Sequence, residues 1–79
     1  MNVRVILFAR ARELAGFSEK SLRLPEGACA GDIYKDKALA SLRAHRGEMR
    51  VAVNEEFALE DRRLGEGDVV AVLPPVSGG

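Results

Sequence analysis

Two short β-branched runs stand at opposite ends of this chain: Val3-Arg4-Val5-Ile6-Leu7-Phe8 near its start and Val69-Val70-Ala71-Val72-Leu73 near its finish. Each reads as a strand bounded by turn or helix signals. The chain has 79 residues, which makes one small domain. A domain of that size buries only roughly 60% of the surface its unfolded chain exposes. Two such runs must therefore share one core, and the last strand is expected to lie mid-sheet, parallel to the first. Pro74-Pro75 ends that strand, because proline has no N–H to give to a ladder. Val76-Ser77-Gly78-Gly79 is then left as a flexible tail on a single domain spanning 1–79.

Between the terminal strands the pattern changes period. Arg10-Ala-Arg-Glu-Leu-Ala15 favours a short helix, with Gly16 placed to end it in a left-handed cap. Residues 19–24 alternate, with Leu22 and Leu24 inward and Ser21 and Arg23 outward. Pro25-Glu26-Gly27 is a turn. Residues 30–46 are predicted to form the main helix, with Tyr34, Ala38 and Leu42 in one stripe beside Ile33 and Leu39, and Gly47 as the stop. Arg50–Val53 is a short strand, Asn54-Glu55-Glu56 a turn, and Phe57–Leu64 mostly irregular with one brief edge strand. Gly65-Glu66-Gly67-Asp68 turns tightly into the last strand. This order predicts an α+β fold: a mixed sheet of β-grasp, ubiquitin-like type with one main helix on one face and a free C-terminal tail.

So small a core leaves little room for an enclosed active site, which puts function on a surface, a tail or an interface. Twelve basic and twelve acidic residues give zero formal net charge, so no dominant attraction to nucleic acid is expected. Arg62-Arg63 and the Arg10/Arg12 pair are local and flanked by acids. Cys29 is the sole cysteine and His45 the sole histidine. No internal disulfide is possible, and no metal site is expected. Cys29 reads as a small apolar residue near a helix start, His45 as a partner for helix-end carbonyls, and Tyr34 as packed core. The opening apolar stretch is too short for a signal or a membrane span, so the expected location is cytoplasmic, with no membrane partner.

The tail carries the chemistry. Glycine lacks a side chain, so Gly78-Gly79 can thread a narrow channel. The terminal carboxylate, with a pKa near ~3.5, is ionised at neutral pH and can attack the α-phosphate of ATP on an adenylating enzyme. A sulfur nucleophile can then displace AMP and leave a thiocarboxylate on Gly79.

Alternation adds an address. Val70 and Val72 point towards the helix, while Val69, Ala71 and Leu73 share the other face with Ile6 and Phe8. Ile6, Phe8, Ala71 and Leu73, extended by Phe57, are expected to form an exposed apolar patch beside the tail, and such patches mark interfaces.

The whole chain resembles the small subunits of molybdopterin synthase, a family of ubiquitin-like sulfur carriers. The resemblance lies in Val5–Ala9 followed by Ala11-Arg12-Glu13-Leu14-Ala15-Gly16, in Val53-Asn54 with Leu64 and Gly67–Ala71, and above all in Leu73-Pro74-Pro75-Val76-Ser77-Gly78-Gly79. Ala28-Cys29 departs from the family, which often has a hydroxyl residue before the main helix. The Ala11–Gly16 helix separates the chain from the sulfur carriers of thiamine synthesis, which usually lack it.

The resemblance implies that Gly79 is adenylated with ATP and Mg²⁺ by a partner and receives sulfur from a sulfurtransferase. It also implies that Gly79 gives the sulfur to cyclic pyranopterin monophosphate in the large subunit, within a heterotetramer. Pro75, Val76, Ser77 and Gly78 would thread that subunit's active site. Ile6, Phe8, Phe57, Ala71, Leu73 and Pro74 would form the interface. On its own the chain would be no enzyme and would hold no permanent cofactor. The alternatives are a carrier serving tRNA thiolation or thiamine synthesis, a ubiquitin-like protein modifier, or an interaction module with an inert tail.

Overall fold

A computed structural model describes residues 1–75 of the chain. Five strands make one mixed sheet: β1 (Asn2–Leu7), β2 (Glu19–Arg23), β3 (Arg50–Val53), β4 (Glu56–Ala58) and β5 (Val69–Leu73), in the order β2-β1-β5-β3-β4. β5 lies in the middle, parallel to β1 and antiparallel to β3. The expected β-grasp arrangement is therefore present, with the two apolar terminal runs side by side.

Alternation sorts the side chains as expected on the covered face. Val3, Val5, Leu7, Leu22, Val51, Val53, Val70 and Val72 are buried there against the helical layer. Helix α1 (Ala9–Ala15) ends at Gly16, whose φ of 84° needs a residue without Cβ strain, and whose N–H bonds to the Arg12 carbonyl. β1 stops at Leu7, one residue before the predicted end. Phe8 keeps an extended backbone and serves as the N-cap of α1.

The single helix expected over 30–46 is divided. Two 3₁₀ segments, Ala30–Lys35 and Lys37–Glu48, flank Asp36, whose φ/ψ of −71°/142° is extended, and the second is kinked at Leu39, whose φ/ψ of −106°/15° is not helical. The physical reason lies in Asp36 and Arg43. The Asp36 carboxylate accepts from the Ala38 amide at 2.9 Å and starts a second segment. Arg43 Nε donates to the Tyr34 carbonyl at 2.6 Å, which supplies a partner to the end of the first segment. The break lets Ile33, Tyr34, Leu39 and Leu42 all reach the core. Gly47 does not stop the second segment, which runs on to Glu48.

The missing hydroxyl at Cys29 is offset from the other side. The Asp32 carboxylate accepts from the Cys29 amide at 2.7 Å, the reciprocal half of a capping box. That bond, and then the Lys35 ammonium, hold the Asp32 carboxyl below its ordinary value.

Glu56, expected in a turn, begins β4. Only Asn54 and Glu55 turn, both at positive φ (51° and 70°), which matches the right-handed twist of a two-residue hairpin.

Candidate functional site: the open face of the sheet beside the tail exit

The strand registers line up one row across the sheet. Ile6 pairs with Ala71, Ala71 with Ala52, and Ala52 with Phe57. All four point away from the helical layer, because cross-strand partners share a face. Ile6 and Ala71 are half-buried, and Phe57 is 66% exposed. Leu73, one step further along β5, is half-buried opposite Arg50. Phe8 is exposed, and its amide donates to the Val72 carbonyl at 3.1 Å, so it stays beside the end of β5. The structure thus brings Ile6, Ala71, Leu73 and Phe57 onto one side, with Phe8 exposed at the end of β1. Pro74 is half-buried and Pro75 exposed where the described chain ends. Val76, Ser77, Gly78 and Gly79, the remainder of the predicted site, lie outside the described residues.

Three contributors escaped the sequence reading. Ala52 sits mid-row and is nearly covered. Arg50 places its guanidinium 5.8 Å from the centre of the Phe57 ring, within cation–π range. Leu59 is 77% exposed just past β4. The period-2 pattern of Arg50–Val53, continued through the hairpin, was the signal that pairs Ala52 with Phe57. Nothing local announces Leu59.

The patch is held by braces on both sides. Asn54 Nδ2 donates to Asp68 Oδ1 at 3.0 Å, the Asn54 side-chain oxygen accepts from the Val69 amide at 3.0 Å, and Asp68 Oδ2 accepts from the Gly65 amide at 2.7 Å. These bonds tie the β3–β4 turn to the entry of β5. They hold the Asp68 carboxyl below its ordinary value, the Asn54 bond foremost. At the opposite corner Arg46 pairs with Glu60 and stacks 4.7 Å from the Tyr34 ring centre. Burial pushes the Tyr34 phenol up to about 12, so it stays neutral. Cys29 is half-buried at the helix start, and His45 faces Glu48 at 3.6 Å; neither adjoins the row. Among the described residues no cluster of His, Cys, Asp and Glu is arranged to hold a metal. No helix there is long and apolar enough to cross a membrane.

The sequence profile of the ThiS family matches residues 5–79. The chain belongs to the ThiS family. It is 35% identical over 81 residues to the molybdopterin synthase sulfur carrier subunit of Arabidopsis thaliana, covering 100% of this chain and 84% of the plant protein. A solved Pyrococcus furiosus protein described as a molybdopterin converting factor subunit 1 is 33% identical, with a TM-score of 0.76 over 96% of this chain and 99% of that one. The SAMP1 protein of Haloferax volcanii, a small archaeal modifier protein, is 28% identical and superposes with a TM-score of 0.86 over 100% of both chains. This ThiS-family chain is a ubiquitin-like sulfur carrier of the molybdopterin synthase type.

Proposed function

We propose that this chain is the sulfur-carrying small subunit of a molybdopterin synthase, acting through the C-terminal carboxylate of Gly79. That carboxylate attacks the α-phosphorus of ATP on an adenylating partner, and pyrophosphate leaves. Hydrosulfide, or its equivalent released by thiol reduction of a sulfurtransferase persulfide, attacks the resulting acyl carbon, AMP leaves, and Gly79 ends in a thiocarboxylate. The carrier then docks on the large subunit and passes sulfur to cyclic pyranopterin monophosphate. The catalytic side chains belong to the large subunit.

The observation that carries this reading is the row Ile6–Ala71–Ala52–Phe57, which crosses β5 at Ala71, just before that strand gives way to Pro74. Docking the row fixes where the tail starts. Four residues beyond Pro75 reach about 13 Å when extended, which sets how far below the docking surface the acceptor can lie.

The test is intact mass after incubation with ATP, Mg²⁺, the adenylating enzyme and a sulfur donor. A gain equal to the difference between sulfur and oxygen, absent when Gly79 is deleted or followed by one added residue, is the expected result. An unchanged mass refutes the reading. The likeness to the archaeal modifier supports a second reading, in which Gly79 forms an amide with a target lysine. Reductant-resistant conjugates on a gel would favour it.

A further inference from the structure

Some charges on the described surface are paired: Arg4 pairs with Glu19, Lys35 with Asp32, His45 faces Glu48, and Arg46 pairs with Glu60. Arg50 has none among the described residues. Its position is unusual. It lies directly opposite Leu73, the last residue of β5 before the proline exit. Residues of β3, β4 and β5 on the open side are Arg50, Ala52, Phe57, Val69, Ala71 and Leu73, so Arg50 carries the sole charge in that half of the docking face. The Phe57 ring supports the guanidinium at 5.8 Å. The neighbouring groove of about 480 Å³ contains one acid, Glu60, and Arg46 already engages it.

Resting on the docking role assigned above to this face, we propose that Arg50 is a specificity residue: it selects a protein partner that presents a carboxylate beside the mouth of the channel that takes the tail. A guanidinium is weakly hydrated and offers a planar fork that fits a carboxylate through two parallel hydrogen bonds. Stacking on Phe57 leaves the outer edge of that fork free to donate. A partner with an apolar or basic group at this point would bury the charge unpaired, and that penalty rejects it. The apolar row sets where partners bind; Arg50 sets which of them bind.

The test uses the full chain and the molybdopterin synthase large subunit from the same organism. Affinity is measured at low and high salt for wild type, Arg50→Gln, Arg50→Glu and Arg50→Lys, with Ala71→Gln as a probe of the row itself. Thermal melts check that each variant is folded. Arg50→Glu is expected to weaken binding by at least tenfold at low salt, on the scale of unlike- to like-charge exchange at interfaces. Arg50→Gln should flatten the salt dependence, Arg50→Lys should keep part of it, and replacing the partner's carboxylate with Arg should rescue Arg50→Glu. If Ala71→Gln weakens binding while every Arg50 variant matches wild type in affinity and salt slope, the selector role is overturned and the docking face stands. If Arg50→Glu loses affinity equally at all salt concentrations, the effect is lost stacking and the charge reading is overturned. If neither Ala71→Gln nor Arg50→Glu alters binding, the docking face itself is wrong, and the selector role falls with it.

Discussion

Phe57→Ala is the sharpest probe of the docking face, because the structure separates its cost to folding from its cost to binding. Phe57 is 66% exposed in the free chain. A phenylalanine offers about 150–250 Å² of surface to bury, so docking covers on the order of 130 Å² that the free chain leaves in water. At about 25 cal/mol per Å² the ceiling is ~3 kcal/mol, a little over a hundredfold in Kd. Area converts to affinity incompletely across interfaces, so the expected loss is roughly tenfold to a hundredfold.

The cost to the fold is smaller. The third of the ring already covered, about 70 Å², contributes about 1.7 kcal/mol, and the exposed contact with Arg50 adds about 0.5 kcal/mol. For a domain of this size each kcal/mol lowers the Tm by about 4–8 °C. The assay pairs calorimetric titration against the large subunit with a thermal melt of the free chain. Unchanged affinity would refute the assignment of this face, and a variant that no longer folds would contradict the exposure of the ring. A double-mutant cycle with Arg50→Gln should show coupling between the two residues, since the guanidinium lies over the ring at 5.8 Å.

Asp32 and Asp68 both have depressed carboxyl values, Asp32 chiefly through the Cys29 amide and Asp68 chiefly through Asn54. The stability they add is fully present above the ordinary value of 3.8 and is lost as pH falls through the lower folded values. Melts recorded across that acid range should therefore fall more steeply for wild type than for Asp32→Asn/Asp68→Asn. Gly31→Ala puts a methyl 2.9 Å from Glu60 Cβ and 3.1 Å from Arg46 Nη2. Overpacking of this kind costs about 1–3 kcal/mol, to be read from denaturant midpoints. Tyr34→Phe removes a buried hydroxyl with no protein partner. The variant should match or exceed wild type in stability by about 1 kcal/mol, and a clear loss would show that the hydroxyl is bonded.

Much of the fold was legible because local rules and the tertiary arrangement agree. Gly16 had to end a helix, and Pro74-Pro75 had to end a ladder; each follows from the backbone freedom of one residue type. Alternation in β1 and β5 was enough to separate Val70 and Val72 from Ala71 and Leu73. The helical stretch was less legible. Its apolar spacing suits one helix, but Asp36 and Arg43 find better hydrogen bonds when the chain breaks between two segments. Such a choice depends on where a side chain lands nine residues away. Leu59 was missed for a similar reason: it belongs to no periodic element, and only the end of β4 decides its exposure.

What the sequence by itself determined is a strand whose faces alternate, ended by two prolines, with two glycines following. Those are properties of covalent structure and of a period of two, and they hold before any long-range contact forms. What only the tertiary structure decided is the company that strand keeps. Parallel pairing with β1 and antiparallel pairing with β3 turned four residues distant in sequence into one row, and set Arg50 beside the last residue before the exit. Register is a long-range choice, fixed when one face of every strand is buried together, and a charge cannot be read as paired or free until its neighbours across the sheet are known.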